Sequence, residues 1–247
     1  MSNPGSYKYL ASFYPHLMRA IDYKKWADYL VKISKDLKKK NPLVLELSCG
    51  TGSIARLLQK SFKNYYISDL SLPMLNQAAD LKLPKICCDM ALLPFKQKFD
   101  FIFSTFDSVN YLLSREKFLK YFSEVSNVIS PGGILTFDVS LENNSLRYQK
   151  YLNRSGKFNG IKYKQRSYYN IKTRIHYNHF EILLADGQKV EEIHKQKIYR
   201  FEEYFKFIDE SDFYVSKCYE TFTFKNAKAS MERAQFILKR KVGNALC

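Results

Sequence analysis

Residues 43–62 read LVLELSCGTGSIARLLQKSF, and this stretch decides the fold. LVLEL is a short apolar run with one acid, as expected of a strand buried on both faces of a parallel sheet. CGTGS supplies a tight turn, and IARLLQKSF (54–62) restarts with helical spacing. Strand, glycine turn and helix in immediate succession open a βαβ unit. The same grammar continues downstream. YYISDL (65–70) predicts a second strand and SLPMLNQAAD (71–80) a second helix. KICCD (85–89) predicts a third strand, FDFIFSTF (99–106) a fourth, and REKFLKYFSEVSNVI (115–129) a long helix. Pro131-Gly132-Gly133 then turns the chain into a fifth strand, ILTFDVS (134–140). Strands alternating with helices call for a parallel sheet with right-handed crossovers. Upstream, apolar residues at Trp26, Leu30, Ile33 and Leu37 predict a helix from Lys24 to Lys40, stopped by Asn41-Pro42.

After Ser140 the periodicity changes. Residues 160–200 form long strand-like runs, and Asp186-Gly187 between FEILLA and KVEEIHKQKIY is a hairpin signal. RFEEYFKFIDES (200–211) reads as a helix, and FYVSKCYETFTF (213–224) and RAQFILKRK (233–241) as two more strands. The expected fold is α/β and Rossmann-like: a mostly parallel seven-stranded sheet with helices on both faces, plus an antiparallel β insertion after the fifth strand. The expected division is a helical N-terminal cap at 1–42, a ligand-binding core at 43–140, the insertion at 141–198 over the site, and a last helix and two strands at 199–247 completing the sheet.

Composition narrows the class. The 247 residues carry a net charge of +16. Residues 43–140 hold ten basic against nine acidic residues, so the excess belongs to the flanks. Residues 143–180 hold nine basic residues and no acid, a stretch suited to attracting an anionic acceptor or phosphates. Lys162, Lys164 and Arg166 are the expected guides. No apolar run can span a bilayer, and MSNPGSYKYL lacks the apolar segment of a signal peptide. Five cysteines (49, 87, 88, 218 and 247) show no zinc spacing and read as reduced thiols of a cytoplasmic protein, with no metal site expected.

In open α/β sheets the ligand lies outside the carboxyl ends of the strands. Those ends carry Glu46, Ser48, Gly50 and Gly52, then Asp69, then Asp89, then Phe106, Asp107 and Asn110. Gly50 and Gly52 let the backbone approach a ligand at a helix N-terminus. Asp69 has the reach to clasp ribose hydroxyls, and Asp89 lies where a nucleoside base must sit. GTGSIA alone matches the loose dinucleotide pattern, but acids at three successive strand ends repel a pyrophosphate and welcome an ammonium and a sulfonium. The expected cofactor is S-adenosylmethionine rather than NAD.

These segments resemble the class I S-adenosylmethionine-dependent methyltransferases. VLELSCGTGSIARLL resembles their first motif, ISDLSLPMLNQA the second, KICCDMALLPF the third and FDFIFSTFDSVNYL the fourth. VSNVISPGGILTFDVS resembles the entry to the fifth strand, while ASFYPHLMRAIDYKKWADYL and VEEIHKQKIYRFEEYF are similar to bacterial sugar-amine N,N-dimethyltransferases. The resemblance implies that Glu46 and the Gly50–Gly52 turn hold the methionine end of the cofactor. It implies Asp69 on the ribose with Leu70 and Met74 alongside, Asp89 and Met90 at the adenine, and Phe106 and Asp107 near methyl transfer. Tyr14, Tyr23 and Trp26 would close the site from the cap. Ser48 departs from the family's Gly or Ala. A general base, if one is used, would come from His194, Tyr14 or Asp107, with His176 and His179 as weaker candidates. The implied activity is methyl transfer to N or O of a small-molecule acceptor, an anionic one among the candidates. An RNA or tRNA methyltransferase is the alternative, on the strength of Tyr148, Tyr151, Phe158, Tyr163, Tyr168 and Tyr169 interleaved with the basic run. A non-catalytic cofactor-binding subunit is the second alternative.

Overall fold

The computed structural model describes residues 7–241, so Cys247 lies outside the described residues. A 3-10 turn at Leu10–Ser12 and α1 (Tyr14–Leu17) lead into α2 (Tyr23–Ser34). The core then runs β1 (Leu43–Leu47), α3 (Ser53–Leu58), β2 (Asn64–Asp69), α4 (Leu72–Asn76), β3 (Lys85–Cys87), β4 (Phe99–Ser104), α5 (Arg115–Val128) and β5 (Ile129–Ser140). The insertion holds α6 (Glu142–Tyr148), β6 (Arg154–Phe158), β7 (Ile161–Asn170), β8 (Ile175–Leu183) and β9 (Lys189–Lys197). α7 (Phe201–Asp209), β10 (Phe213–Glu220) and β11 (Arg233–Arg240) complete the chain.

Seven strands form one sheet in the order β10-β11-β5-β4-β1-β2-β3, parallel except for the pairings of β11 with β5 and with β10. Four form a second, antiparallel sheet, β6-β7-β8-β9. The Rossmann-like α/β reading and the antiparallel insertion both stand. Helices cover both faces of the large sheet because β1 alternates. Val44 turns toward Trp26, Leu30 and Ile33 of α2 and Ile54 and Leu58 of α3. Leu45 and Leu47 turn toward Phe118, Phe122 and Val125 of α5 and Tyr204 and Ile208 of α7. A third cluster joins Leu10, Phe13 and Leu17 to Tyr163, Phe180 and Ile182, so the N-terminal segment packs against the inner face of the insertion.

Element ends differ from the sequence reading for local reasons. The helix expected to reach Lys40 ends at Ser34, and the next amides bond three residues back (Lys35 to Lys32, Asp36 to Ile33, Leu37 to Ser34), a 3-10 tightening before the lysine run. β5 begins at Ile129 rather than Ile134. Ile129 pairs with Phe99 and Ile134 with Phe101, and between them Pro131 and Gly132 bulge outward before the buried Gly133. α6 has no apolar stripe, since ENNSLRY buries only Ser145, and its sequence carries no helical signal.

Candidate active site

The turn after β1 is left-handed three times, at Ser48 (φ 57°), Gly50 (φ 56°) and Gly52 (φ 75°). Ser48 adopts that φ with its Cβ in place, a conformation that glycine takes without strain. A Cβ on Gly52 would lie 2.8 Å from Leu81 and 2.9 Å from Ala78, so this glycine is demanded by helix packing. A Cβ on Gly50 would meet nothing nearer than Met74 Cε at 3.9 Å, leaving open space over the turn.

Asp69 ties this turn to the next strand end. Its carboxylate accepts from the Gly50 amide at 2.8 Å and the Ser71 amide at 2.8 Å, and burial raises its pKa against these bonds. Asp89 accepts from the Ala91 amide at 2.9 Å. Cys87, Cys88, Asp89, Leu92, Leu93 and Pro94 line a cavity of about 340 Å³ at the end of β3.

Glu46 is buried and accepts from the Tyr65 hydroxyl. Burial pushes its carboxyl up to about 8, against the lowering effect of that bond. The folded value lies above the unfolded one of roughly 4.3. Its contribution to stability is therefore full below about pH 4 and lost as pH rises through 8. Glu46→Gln, a permanently neutral isostere, is expected to melt higher than the ligand-free wild type at pH 9 and no higher at pH 4. Each kcal/mol recovered corresponds to about 2–4 °C in a chain of this size. Thermal melts at the two pH values check this, and matching melts at pH 9 would contradict it.

Phe106 (φ 57°) and Asp107 (φ 50°) are consecutive left-handed residues beyond β4. Such backbone costs of order 1–3 kcal/mol per residue and persists only when overdetermined. Here the Asp107 amide donates to Asp138 Oδ2 at 3.0 Å, Arg233 Nη1 bridges Asp107 Oδ1 (3.1 Å) and Asp138, and Gln196 Nε2 donates to Asp107 Oδ2 at 3.1 Å. Burial pushes Asp138 up to about 6, although Arg233 opposes the shift. For Arg233 burial acts downward, and the two carboxylates more than reverse it. Asn110 is fully buried, donating to the carbonyls of Lys197 (2.7 Å) and Ser140 (3.4 Å) and to Tyr204 Oη, and accepting from the Ser140 amide.

The aromatic residues of the cap converge on the same point. Trp26 and Tyr23 lie 4.8 and 5.6 Å from Phe106 between ring centroids. Tyr14 packs edge-on against Tyr7, whose hydroxyl shares a 2.6 Å hydrogen bond with Tyr111. Burial raises the Tyr14 phenol well above the ordinary range, and the nearby Tyr7, Tyr23, Asp107 and Asp69 add to it.

The inner face of the insertion completes the enclosure with polar side chains. Gln165 and Ser167 of β7, His176 and Asn178 of β8, and Glu192, His194 and Gln196 of β9 alternate inward. Ser167 Oγ lies 2.7 Å from His176 Nε2, whose imidazole burial shifts downward. His179 is turned the other way, 3.1 Å from Glu191.

Two expectations are corrected by this alternation. Lys162, Lys164 and Arg166 are exposed on the outer face, so they do not line the enclosed side, and Arg166 pairs with Glu181. Nor do the aromatics of the basic run make one stacking platform. Tyr163 and Tyr169 are buried, Tyr148 at the end of α6 sits with Tyr151 just beyond it, and Tyr168 stacks outside on Tyr177 at 4.7 Å. The sequence reading missed Tyr7, Tyr111, Asp138, Glu192, Gln196 and Arg233. Asp138 alone had a signal, being an acid near a strand end. Among the described residues no group of three or more His, Cys, Asp or Glu is placed to hold a metal, and no helix is long and apolar enough to cross a membrane.

Residues 44–133 match the family described as methyltransferase domain. YqeM of Bacillus subtilis, assigned to the methyltransferases by name, is 27% identical over 93% of this chain and 95% of its own length. An S-adenosylmethionine-dependent methyltransferase from Clostridium acetobutylicum, solved as a crystal structure, is 25% identical with TM-score 0.77, covering 96% of this chain and 99% of its own. The sugar N-methyltransferase KedS8 from Streptoalloteichus shares the fold at 16% identity, TM-score 0.71, over 92% and 91% of the two chains. Fold and matches together make this chain an enzyme of the methyltransferase class. It is a Rossmann-like, S-adenosylmethionine-dependent methyltransferase.

Proposed function

We propose that this enzyme methylates the amino nitrogen of a small, polyhydroxylated acceptor of the amino-sugar kind. The observation that carries the reading is the enclosed wall of the insertion. Gln165, Ser167, His176, Asn178, His194 and Gln196 are side chains able to donate and to accept hydrogen bonds, the set that matches hydroxyl groups, and Gln196 links that wall to Asp107. KedS8, which shares the fold, acts on a sugar nitrogen by its name. The cap at 1–42 and the insertion at 141–198 would form the acceptor side, and 43–140 the cofactor side. An anionic acceptor would have to be met by groups other than the outer lysines. The scattered cysteines, four of them free thiols among the described residues, support a cytoplasmic setting.

The residues fit the cofactor. The open space over Gly50, the acids Glu46, Asp69 and Asp89, and the cavity beside Asp89 suit a ligand with cationic and nucleoside ends. Asp69 would clasp the ribose with Leu70 and Met74 beside it, Asp89 and Met90 the adenine, and Glu46 with Ser48, Gly50 and Gly52 the methionine end. S-adenosylmethionine supplies a methyl group on a sulfonium, already activated for displacement. What the protein chiefly adds is alignment, worth roughly 7–11 kcal/mol of barrier in favourable cases. Asp107, fixed by Arg233 and Gln196, would hold the acceptor nitrogen in line, and Tyr14, Tyr23, Trp26 and Phe106 would exclude water.

Calorimetry should show S-adenosylhomocysteine binding and no NAD binding. A panel of amino-hexoses and amino-pentoses, scored by S-adenosylhomocysteine release, should contain substrates. Methylation of tRNA with none of the amines accepted would overturn the reading.

A further inference from the structure

Three of the inward side chains of β9 form a row, Glu192, His194 and Gln196, running from the N-terminal segment to Asp107. Glu192 is buried, and its carboxylate is surrounded by donors. Oε2 accepts from the Tyr7 amide at 2.9 Å, and Oε1 from the Leu10 amide at 3.1 Å and from the Tyr9 amide. His194 Nε2 lies 3.2 Å from Oε2. With backbone amides donating to both oxygens, the carboxylate is an acceptor toward the ring as well, so Nε2 carries the hydrogen.

That leaves Nδ1. His194 is 3% exposed, and Nδ1 is buried with no hydrogen-bond partner. Buried ring nitrogens are nearly always satisfied, and an exception calls for an explanation. The ring is boxed by Tyr7 at 4.3 Å, Phe180 at 5.8 Å and Tyr111 at 6.3 Å. Burial raises the Tyr7 and Tyr111 phenols, and the charges of Asp69 and Asp107 add a smaller push in the same direction. The bare nitrogen thus sits in a water-poor enclosure of aromatic rings, one inward position along β9 from Gln196, which reaches Asp107.

We propose that Glu192 and His194 form a dyad in which Nδ1 takes the proton of the acceptor's ammonium group; this rests on the N-methylation reading above. The acceptor N–H bond breaks, the proton moves to Nδ1, and the nitrogen keeps the pair. That pair forms the new C–N bond as the carbon–sulfur bond of the donor breaks, its electrons remaining on sulfur. Glu192, which touches neither reactant, is a positioning residue: it fixes which ring nitrogen is bare and balances the imidazolium. The same carboxylate pins the amides of Tyr7, Tyr9 and Leu10, so the base is set only when the N-terminal segment is in place.

The test has two arms. The first is 15N NMR of histidine-labelled protein at pH 7.5, the four histidines being separated by loss of one signal set in His194→Gln. The expected result is a neutral ring with hydrogen on Nε2, and loss of that preference in Glu192→Gln. Hydrogen on Nδ1, or an unchanged tautomer in Glu192→Gln, overturns the dyad. The second arm is His194→Gln, which keeps a donor toward Glu192 but has nothing in place of Nδ1. With amines that the wild type methylates, kcat should fall about 100-fold or more, with S-adenosylhomocysteine affinity within about twofold. A kcat within threefold of wild type overturns the proposal. Wild-type inactivity on every amine counts against the acceptor class instead, and the tautomer still judges the dyad on its own.

Discussion

Arg233→Met should lower the stability of the ligand-free protein by about 3–5 kcal/mol at pH 8, although methionine fills most of the arginine's volume. The reason is the pair left behind. Asp138 is fully buried and Asp107 partly buried, and Arg233, itself partly exposed, is the cation between them. Breaking a buried ion group by removing one partner leaves uncompensated charge, the costly direction of change. Even with Arg233 present, burial holds the Asp138 carboxyl at about 6, above the unfolded value of roughly 3.9. A raised carboxyl contributes its stability below about pH 4 and loses it as pH climbs through 6. Without Arg233 the shift grows, so the variant should suffer most at pH 8 and approach the wild type near pH 5. Urea denaturation at the two pH values measures the difference. A deficit independent of pH would show that Arg233 acts through packing alone. Adding Asp138→Asn to the variant should recover part of the loss at pH 8, because it removes one of the stranded charges.

Asp69→Ala carries the second large effect, on binding and fold at once. Asp69 would lose charge-assisted hydrogen bonds to the ribose, weakening S-adenosylhomocysteine by about 1.5–3 kcal/mol, or roughly 10- to 100-fold. The same carboxylate holds the Gly50 and Ser71 amides, so the ligand-free protein should also lose about 1–2 kcal/mol. Asp69→Asn separates the roles: its amide oxygen can keep one backbone amide, and its amino group can still meet a hydroxyl, so it should bind and fold between the other two. Calorimetry and melts on the three proteins decide it. Unaltered cofactor affinity in Asp69→Ala would confine Asp69 to the turn.

The central sheet was legible because its strands are buried on both faces. LVLEL and FDFIFS are nearly continuous apolar runs, and such runs followed by a glycine turn or an acid have few other readings. The Gly50–Gly52 turn and the acids at strand ends follow from the same logic. Helix ends were harder, since Lys35 to Lys40 favour a helix as residues while their mutual charge and the coming Pro42 do not. The insertion was legible as antiparallel strands and illegible as chemistry. KVEEIHKQK is polar on both faces, so alternation cannot say whether Glu191 or Glu192 turns inward; only packing against Leu10, Phe13 and Leu17 decides it. Arg233 had no signal, because a lone arginine opening a strand looks like a solvated residue until the fold sets it beside Asp138.

The placement of β11 bears on how the molecule is made. It lies inside the sheet, between β5 and β10, yet it is the last strand of the described chain. A polypeptide emerging from the ribosome can assemble β1 to β5 early, but the far edge of β5 stays open until residues 233–240 arrive. Until then Asp138 has no cation and the left-handed turn at Asp107 lacks its anchor. A chain broken off short would display an unpaired apolar strand edge, the kind of surface that chaperones and proteases read. Closure of the β5 edge and delivery of the Asp138 cation therefore fall at the same moment of synthesis.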